Sequence, residues 1–61
     1  MKNIKDEHKG IGLALAELIR CGDITSANYI NYVMGTKYLD FVNCGLEEFD
    51  LKELMKMEYR E

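Results

Sequence analysis

The chain contains no proline, and no repeat, low-complexity tract or linker is visible, so it reads as one unit. His8 is the one histidine, and Cys21 and Cys44 are the two cysteines. Structural zinc needs about four ligands, and these three residues are widely separated, which excludes a metal centre. Neither cysteine belongs to a C-x-x-C pair. Residues 1–10 are mostly charged, so no apolar signal core stands behind the N-terminus. The low-charge run Ile11–Ile19 contains Glu17 and is far too short to span a bilayer. The expectation is a cytoplasmic protein with two free thiols, packed as small apolar groups in or beside the core. A Cys21–Cys44 bridge is the alternative.

Enzymatic chemistry is equally short of parts. Nucleophilic or acid–base catalysis needs a thiol or carboxylate held in a cleft beside a base, and a domain with one histidine offers little from which to build one. Gly10-Ile11-Gly12 precedes an apolar helix, without the third glycine or the preceding strand of a phosphate-binding loop. No enzyme activity, cofactor or metal is expected.

Charge is sparse where a nucleic-acid reader would need it. The net charge is −3, and no Lys or Arg stands between Arg20 and Lys37. Residues 1–46 hold five acids and five bases, whereas residues 47–61 hold six acids against three bases, so the C-terminal quarter carries the whole excess. Phosphate recognition depends on Lys and Arg, which makes nucleic acid an unfavoured partner.

Sixty-one residues lie near the lower limit for an independent core, since a domain of this size buries only about 60% of its unfolded surface. Ordering each residue costs roughly 1.5 kcal/mol, and apolar burial about cancels that cost. Disulfides, metals and oligomerisation are the usual remedies, and this sequence opposes all but the last. Homo-oligomerisation, a homodimer for instance, therefore stays open.

What is present is helical periodicity. Advancing about 100° per residue from Ile11 places Cys21, Ala14, Leu18, Ile11, Leu15 and Ile19 on one arc, with Lys9, Ala16, Arg20 and Glu17 opposite. Ile4 extends the arc backwards, so a start near Asn3 is open. Gly10 and Gly12 each weaken the helix by about 1 kcal/mol, which predicts that residues 1–9 are frayed or loosely helical. Gly22 is a stop signal of the left-handed type. Thr25 or Ser26 is the expected cap of a second helix, with Ile24 and Tyr29 as a hydrophobic staple. In that helix Tyr29, Val33, Ile30, Met34 and Ala27 share one face, Asn28, Asn31 and Tyr32 share the other, and Gly35 ends it.

Residues 36–44 are ambiguous between strand and helix, because Tyr38-Leu39-Asp40-Phe41-Val42 has strand-like composition. The helical wheel separates apolar from polar residues more cleanly, with Thr36 as cap and Gly45 as stop. Asp50-Leu51-Lys52-Glu53 fits the spacing of a capping box, flanked by Phe49 and Leu54 at staple positions. Beyond it, Leu51, Leu54, Met55, Met57 and Tyr59 form an apolar side, and Lys52, Glu53, Lys56 and Arg60 a polar one. The expected fold class is all-α: a bundle of three or four short helices, one domain over residues 1–61, built around a helix-turn-helix-like hairpin at residues 11–35. The expected core is Ile11, Leu15, Leu18, Ile19, Tyr29, Ile30, Val33, Phe41, Leu51 and Leu54.

Two surfaces are candidates for binding. Leu13 and Tyr32 fall outside the apolar arcs of their helices, and with Met55, Met57 and Tyr59 they form a candidate partner-binding surface. Glu47, Glu48, Asp50, Glu53 and Glu58, together with Glu61, form a candidate acidic face that could imitate a row of phosphates. The function these features favour is non-catalytic: a protein-binding regulator (inhibitor, adaptor or antagonist) that covers a partner protein's surface. The alternatives are a helix-turn-helix-like DNA-binding regulator reading bases with Asn28, Asn31 and Tyr32, and a structural homo-oligomerisation module. The leaning towards Lys, Asn, Tyr and Ile suggests a low-GC bacterium or its phage, which would put a phage-encoded chain in the host cytoplasm.

Overall fold

A computed structural model describes residues 3–59, so Arg60 of the expected polar side and Glu61 of the acidic stretch lie outside the described residues. Among the described residues the chain is all-helical: α1 (Ile4–Arg20), α2 (Ile24–Met34), α3 (Tyr38–Asn43) and α4 (Glu48–Leu54). Within the ambiguous stretch 36–44, Tyr38–Asn43 thus takes the helical form that its apolar spacing favours. No described helix is long and apolar enough to cross a membrane.

Helix α1 runs regularly from Ile4, and the expected fraying of the segment before Lys9 is not seen among the residues from Asn3 onward. The Asn3 side chain accepts the Lys5 N–H at 2.9 Å, and Asp6 and Glu7 lie in the first turn, where the helix dipole favours negative charge. These contributions offset the two glycines. Gly22, at φ 86°, ends the helix as its stop signal predicts. Its N–H donates to the Ile19 carbonyl and the Asp23 N–H to the Leu18 carbonyl, both at 2.9 Å, the paired bonds of a Schellman turn.

The buried stripe of α1 is Gly12, Leu15, Ala16 and Ile19. It is rotated from the predicted arc: Ala16, expected opposite, is fully buried, whereas Ala14 and Cys21 are exposed. Small residues turn inward because they let neighbouring elements approach. A Cβ at Gly12 would stand 2.5 Å from Leu46 Cδ1 and 3.0 Å from Phe41 Cδ1. Around this stripe α1 contacts each of the other three helices.

Two further helix starts differ from expectation. Asp23, not Thr25 or Ser26, caps α2, its carboxylate accepting the Ser26 N–H at 3.2 Å. Helix α4 begins one turn before the expected capping box, with Glu47 as N-cap. Asp50 is therefore inside the first turn, and its carboxylate is engaged by Arg20 at 3.0 Å. The same guanidinium bonds Glu17 at 2.7 Å and lies 4.3 Å from the centroid of the Phe49 ring, so Phe49 packs under a cation. At α3, the Lys37 N–H donates to the Asp40 carboxylate at 2.9 Å, closing the start of the helix. Thr36, the expected cap, is buried instead. Gly45, at φ 86°, follows the C-cap Cys44 as a stop.

The core consists of Leu15, Ala16, Ile19, Ala27, Phe41, Leu46, Leu54 and Met57, with Ile11, Leu18 and Leu51 half-buried against it. Leu15, Ile19, Phe41 and Leu54 match the expected core. Tyr29, Ile30 and Val33 do not, because all three are exposed.

Candidate interaction surface

Helix α2 is rotated from its predicted wheel, so that of the predicted apolar face only Ala27 is buried. Ala27 and Asn31 are its buried residues, and Ile24 packs partly against the core. Asn31, expected on the polar side, is only 3% exposed. Its Oδ1 accepts the Thr36 hydroxyl at 2.5 Å, so the pair satisfies itself inside the protein. Asn28 is also engaged, its Oδ1 accepting the Glu58 N–H at 2.9 Å. Two polar anchors thus fix the rotation of α2, and the larger apolar residues point away from the core.

The outward face carries Tyr29, Ile30, Tyr32, Val33 and Met34, with Tyr29 68% and Val33 61% exposed. Among the described residues α2 packs against α1 but against neither α3 nor α4, so no other helix covers this face. No charged side chain lies within Ile24–Met34. A radius of gyration of 10.5 Å is that of a well-packed chain of this length. The exposure of α2 is therefore not the result of a loosely assembled molecule.

Of the predicted partner-binding residues, Tyr32 joins this face, while Leu13 is exposed on α1 and Met55 is exposed past the end of α4. Met57 does not belong to the surface, and Tyr59 belongs to it only in part. Met57 is buried in the core. Tyr59 is half-buried: its ring lies 5.9 Å from that of Tyr38 and 6.5 Å from that of Phe41, and its hydroxyl donates to the Leu54 carbonyl at 2.6 Å. Burial, then the neighbouring Tyr38, push the Tyr59 phenol well above its ordinary pKa. The physical reason for both corrections is that α4 stops at Leu54. After Met55 and Lys56 the chain turns back as a strap over the core and reaches α2 through Glu58.

The predicted acidic face is divided in the same way. Glu47 and Glu48 are exposed at the start of α4, Asp50 is paired with Arg20, and Glu53 with Lys56 at 3.3 Å. Glu58 lies apart, on the strap. The five carboxylates make no continuous row.

Between the strap and the end of α2 runs a groove of about 660 Å³, lined by Asn28, Tyr32, Val33, Lys37, Glu58 and Tyr59 among others. Tyr32 and Val33 belong to both groove and outer face, so the two features are continuous. The expected DNA-reading set of Asn28, Asn31 and Tyr32 is not presented together: Asn31 is inside the protein and Asn28 holds the strap. Tyr29, Ile30 and Val33 are what sequence reasoning missed as surface. The available signal was the small-and-polar stripe Ile24, Ala27, Asn31 at helical spacing, weaker by any hydropathy measure than the stripe that ended outside. No protein-family model, curated protein or solved structure matches the chain.

Proposed function

We propose that the protein is a non-catalytic protein-binding regulator acting in the cytoplasm, and that the outer face of α2 is its contact surface. The observation that carries this reading is the concentration of Tyr29, Ile30, Tyr32, Val33 and Met34 on one helix that lacks charged residues and that no other described helix covers. Contiguous exposed apolar surface with aromatics is characteristic of protein interaction sites. Tyrosines supply large contact area at low conformational cost, and the groove beside Tyr32 and Val33 offers a recess for a partner's side chain. The free thiols Cys21 and Cys44 accord with a reducing compartment.

The test is affinity capture from the native host, with identification by mass spectrometry, using the wild-type chain, a Tyr29→Asp/Val33→Asp variant and a Leu13→Asp variant. Partners that bind through α2 are lost with the first variant and kept with the second. A partner kept by the α2 variant and lost by Leu13→Asp would move the surface to α1.

A further inference from the structure

We infer that the occupant of the α2 face is a second copy of this chain, packed α2 against α2 in antiparallel fashion about a twofold axis. This rests on α2 being the binding face and names what covers it.

Three observations converge on a copy. The first is charge. Between the capping Asp23 and Lys37 no residue is ionisable apart from the tyrosines, so the face itself carries no charge that a partner would have to match. Its N-terminal end carries Asp23, and its far end carries Lys37 beyond Gly35, partly offset by Asp40, whose carboxylate accepts the Lys37 N–H at 2.9 Å. Antiparallel packing sets Asp23 of each copy towards Lys37 of the other and opposes the two helix dipoles, whereas parallel packing would set like beside like. Glu58 flanks α2 at Asn28, to one side of the Tyr29–Val33 ridge.

The second observation concerns the excess acid. Association of two chains of net charge −3 is opposed wherever their carboxylates meet. Helices α2 and α4 both pack on α1 and do not touch one another. Joining the molecules through α2 therefore keeps Glu47, Glu48 and Asp50 of the two copies away from the interface.

The third is area. The five outward side chains offer on the order of 500 Å² per chain, spread over about 200° of the helix, so their full burial brings two copies to the lower bound of about 1,000 Å² for a specific association. On the helical wheel Tyr29 and Val33 lie about 40° apart at the centre of the face, so an isologous contact brings both close to the axis, Tyr29 of each copy meeting Val33 of the other.

Sedimentation equilibrium of the full chain over a wide concentration range tests this. The expected result is a mass rising from 7.1 kDa towards twice that value, with a thermal midpoint that climbs with concentration. Val33→Asp and Tyr29→Lys each weaken self-association at least about tenfold, and an equimolar mixture of the two restores a dimer through the paired opposite charges. Leu39→Asp, at an exposed apolar position on α3, leaves the dimer intact and shows that the effect belongs to α2. Retained far-UV circular dichroism establishes that each variant is folded. Wild-type chain that stays monomeric at every concentration, while host-partner capture is lost by Val33→Asp, overturns the second copy alone and leaves α2 to a different protein. Mass and capture both indifferent to Val33→Asp overturn α2 as a binding face.

Discussion

Gly10 and Gly12 lie in the same helix two residues apart, yet alanine should act on them with opposite sign. Both substitutions gain about 1 kcal/mol of helix propensity. At Gly10 an added Cβ meets nothing within 4 Å, so the gain is realised, and the melting temperature should rise by roughly 4–8 °C. At Gly12 the added Cβ would be 2.5 Å from Leu46 Cδ1 and 3.0 Å from Phe41 Cδ1. Phe41 is fully buried and Leu46 nearly so, so neither can swing out into solvent. Overpacking of this kind costs about 1–3 kcal/mol, which cancels or outweighs the propensity gain. The two variants should therefore differ by about 1–3 kcal/mol in favour of Gly10→Ala. Thermal and urea unfolding followed by far-UV circular dichroism measure this, at one fixed chain concentration so that self-association does not shift the midpoint. The Gly12→Ala/Leu46→Ala double variant adds a control: relieving the contact should make it more stable than the sum of the two single changes. If Gly12→Ala stabilises as much as Gly10→Ala, the close approach of α1 to Phe41 and Leu46 does not constrain this position, and the reasoning fails.

Thr36→Val should cost about 1–3 kcal/mol by leaving the buried Asn31 amide without its partner, and adding Asn31→Leu should recover much of that loss in urea unfolding. Tyr59→Phe removes the bond to the Leu54 carbonyl and should cost about 0.5–1.5 kcal/mol. Because the folded state holds the Tyr59 phenol above its ordinary pKa, its contribution is complete below about pH 10 and is lost as pH rises through the folded value. Wild type should therefore lose stability in alkali more steeply than Tyr59→Phe, which chemical denaturation at several pH values would show. Asp50→Asn should lower the urea midpoint by breaking the Arg20 contact, and the difference from wild type should shrink at high salt.

Helix existence was legible because it rests on local signals. Gly22, Gly35 and Gly45 all take positive φ where the chain must turn, and the apolar spacing of residues 38–42 favours a helix over a strand. Starts were less legible, since several residues compete for each cap: Asp23 prevailed over Thr25 and Ser26, and Asp50 was drawn away from capping by Arg20. Faces were legible only in part. In α1 the large residues pointed to Leu15 and Ile19, but hydropathy undervalues Gly12 and Ala16, whose merit is that they occupy little space. In α2 the rotation is larger: Ala27 stays inside as its wheel predicts, but Asn31 joins it and Tyr29, Ile30 and Val33 lie outside.

The candidate site shows the same division. Tyr32 was found because it lay off its predicted apolar arc, whereas Tyr29 and Val33 were assigned to the core by the pattern that should have revealed them. Met57 and Tyr59 were placed on a continuing helix. The turn after Leu54 buries Met57 and leaves Tyr59 half-buried at the groove instead, with the Tyr59 hydroxyl on the last helical carbonyl.

What this sequence determined by itself is the class of fold: helical periodicity and glycine stops specify an all-α chain. What only the tertiary structure decided is which side of each helix faces inward. Periodicity sets the angle between residues on one helix, but the rotation of that helix depends on what it meets. Here a close approach at Gly12, a buried Asn31–Thr36 bond and the strap held by Asn28 outweigh the burial of Tyr29 and Val33, and the interaction surface is the face those contacts leave outside.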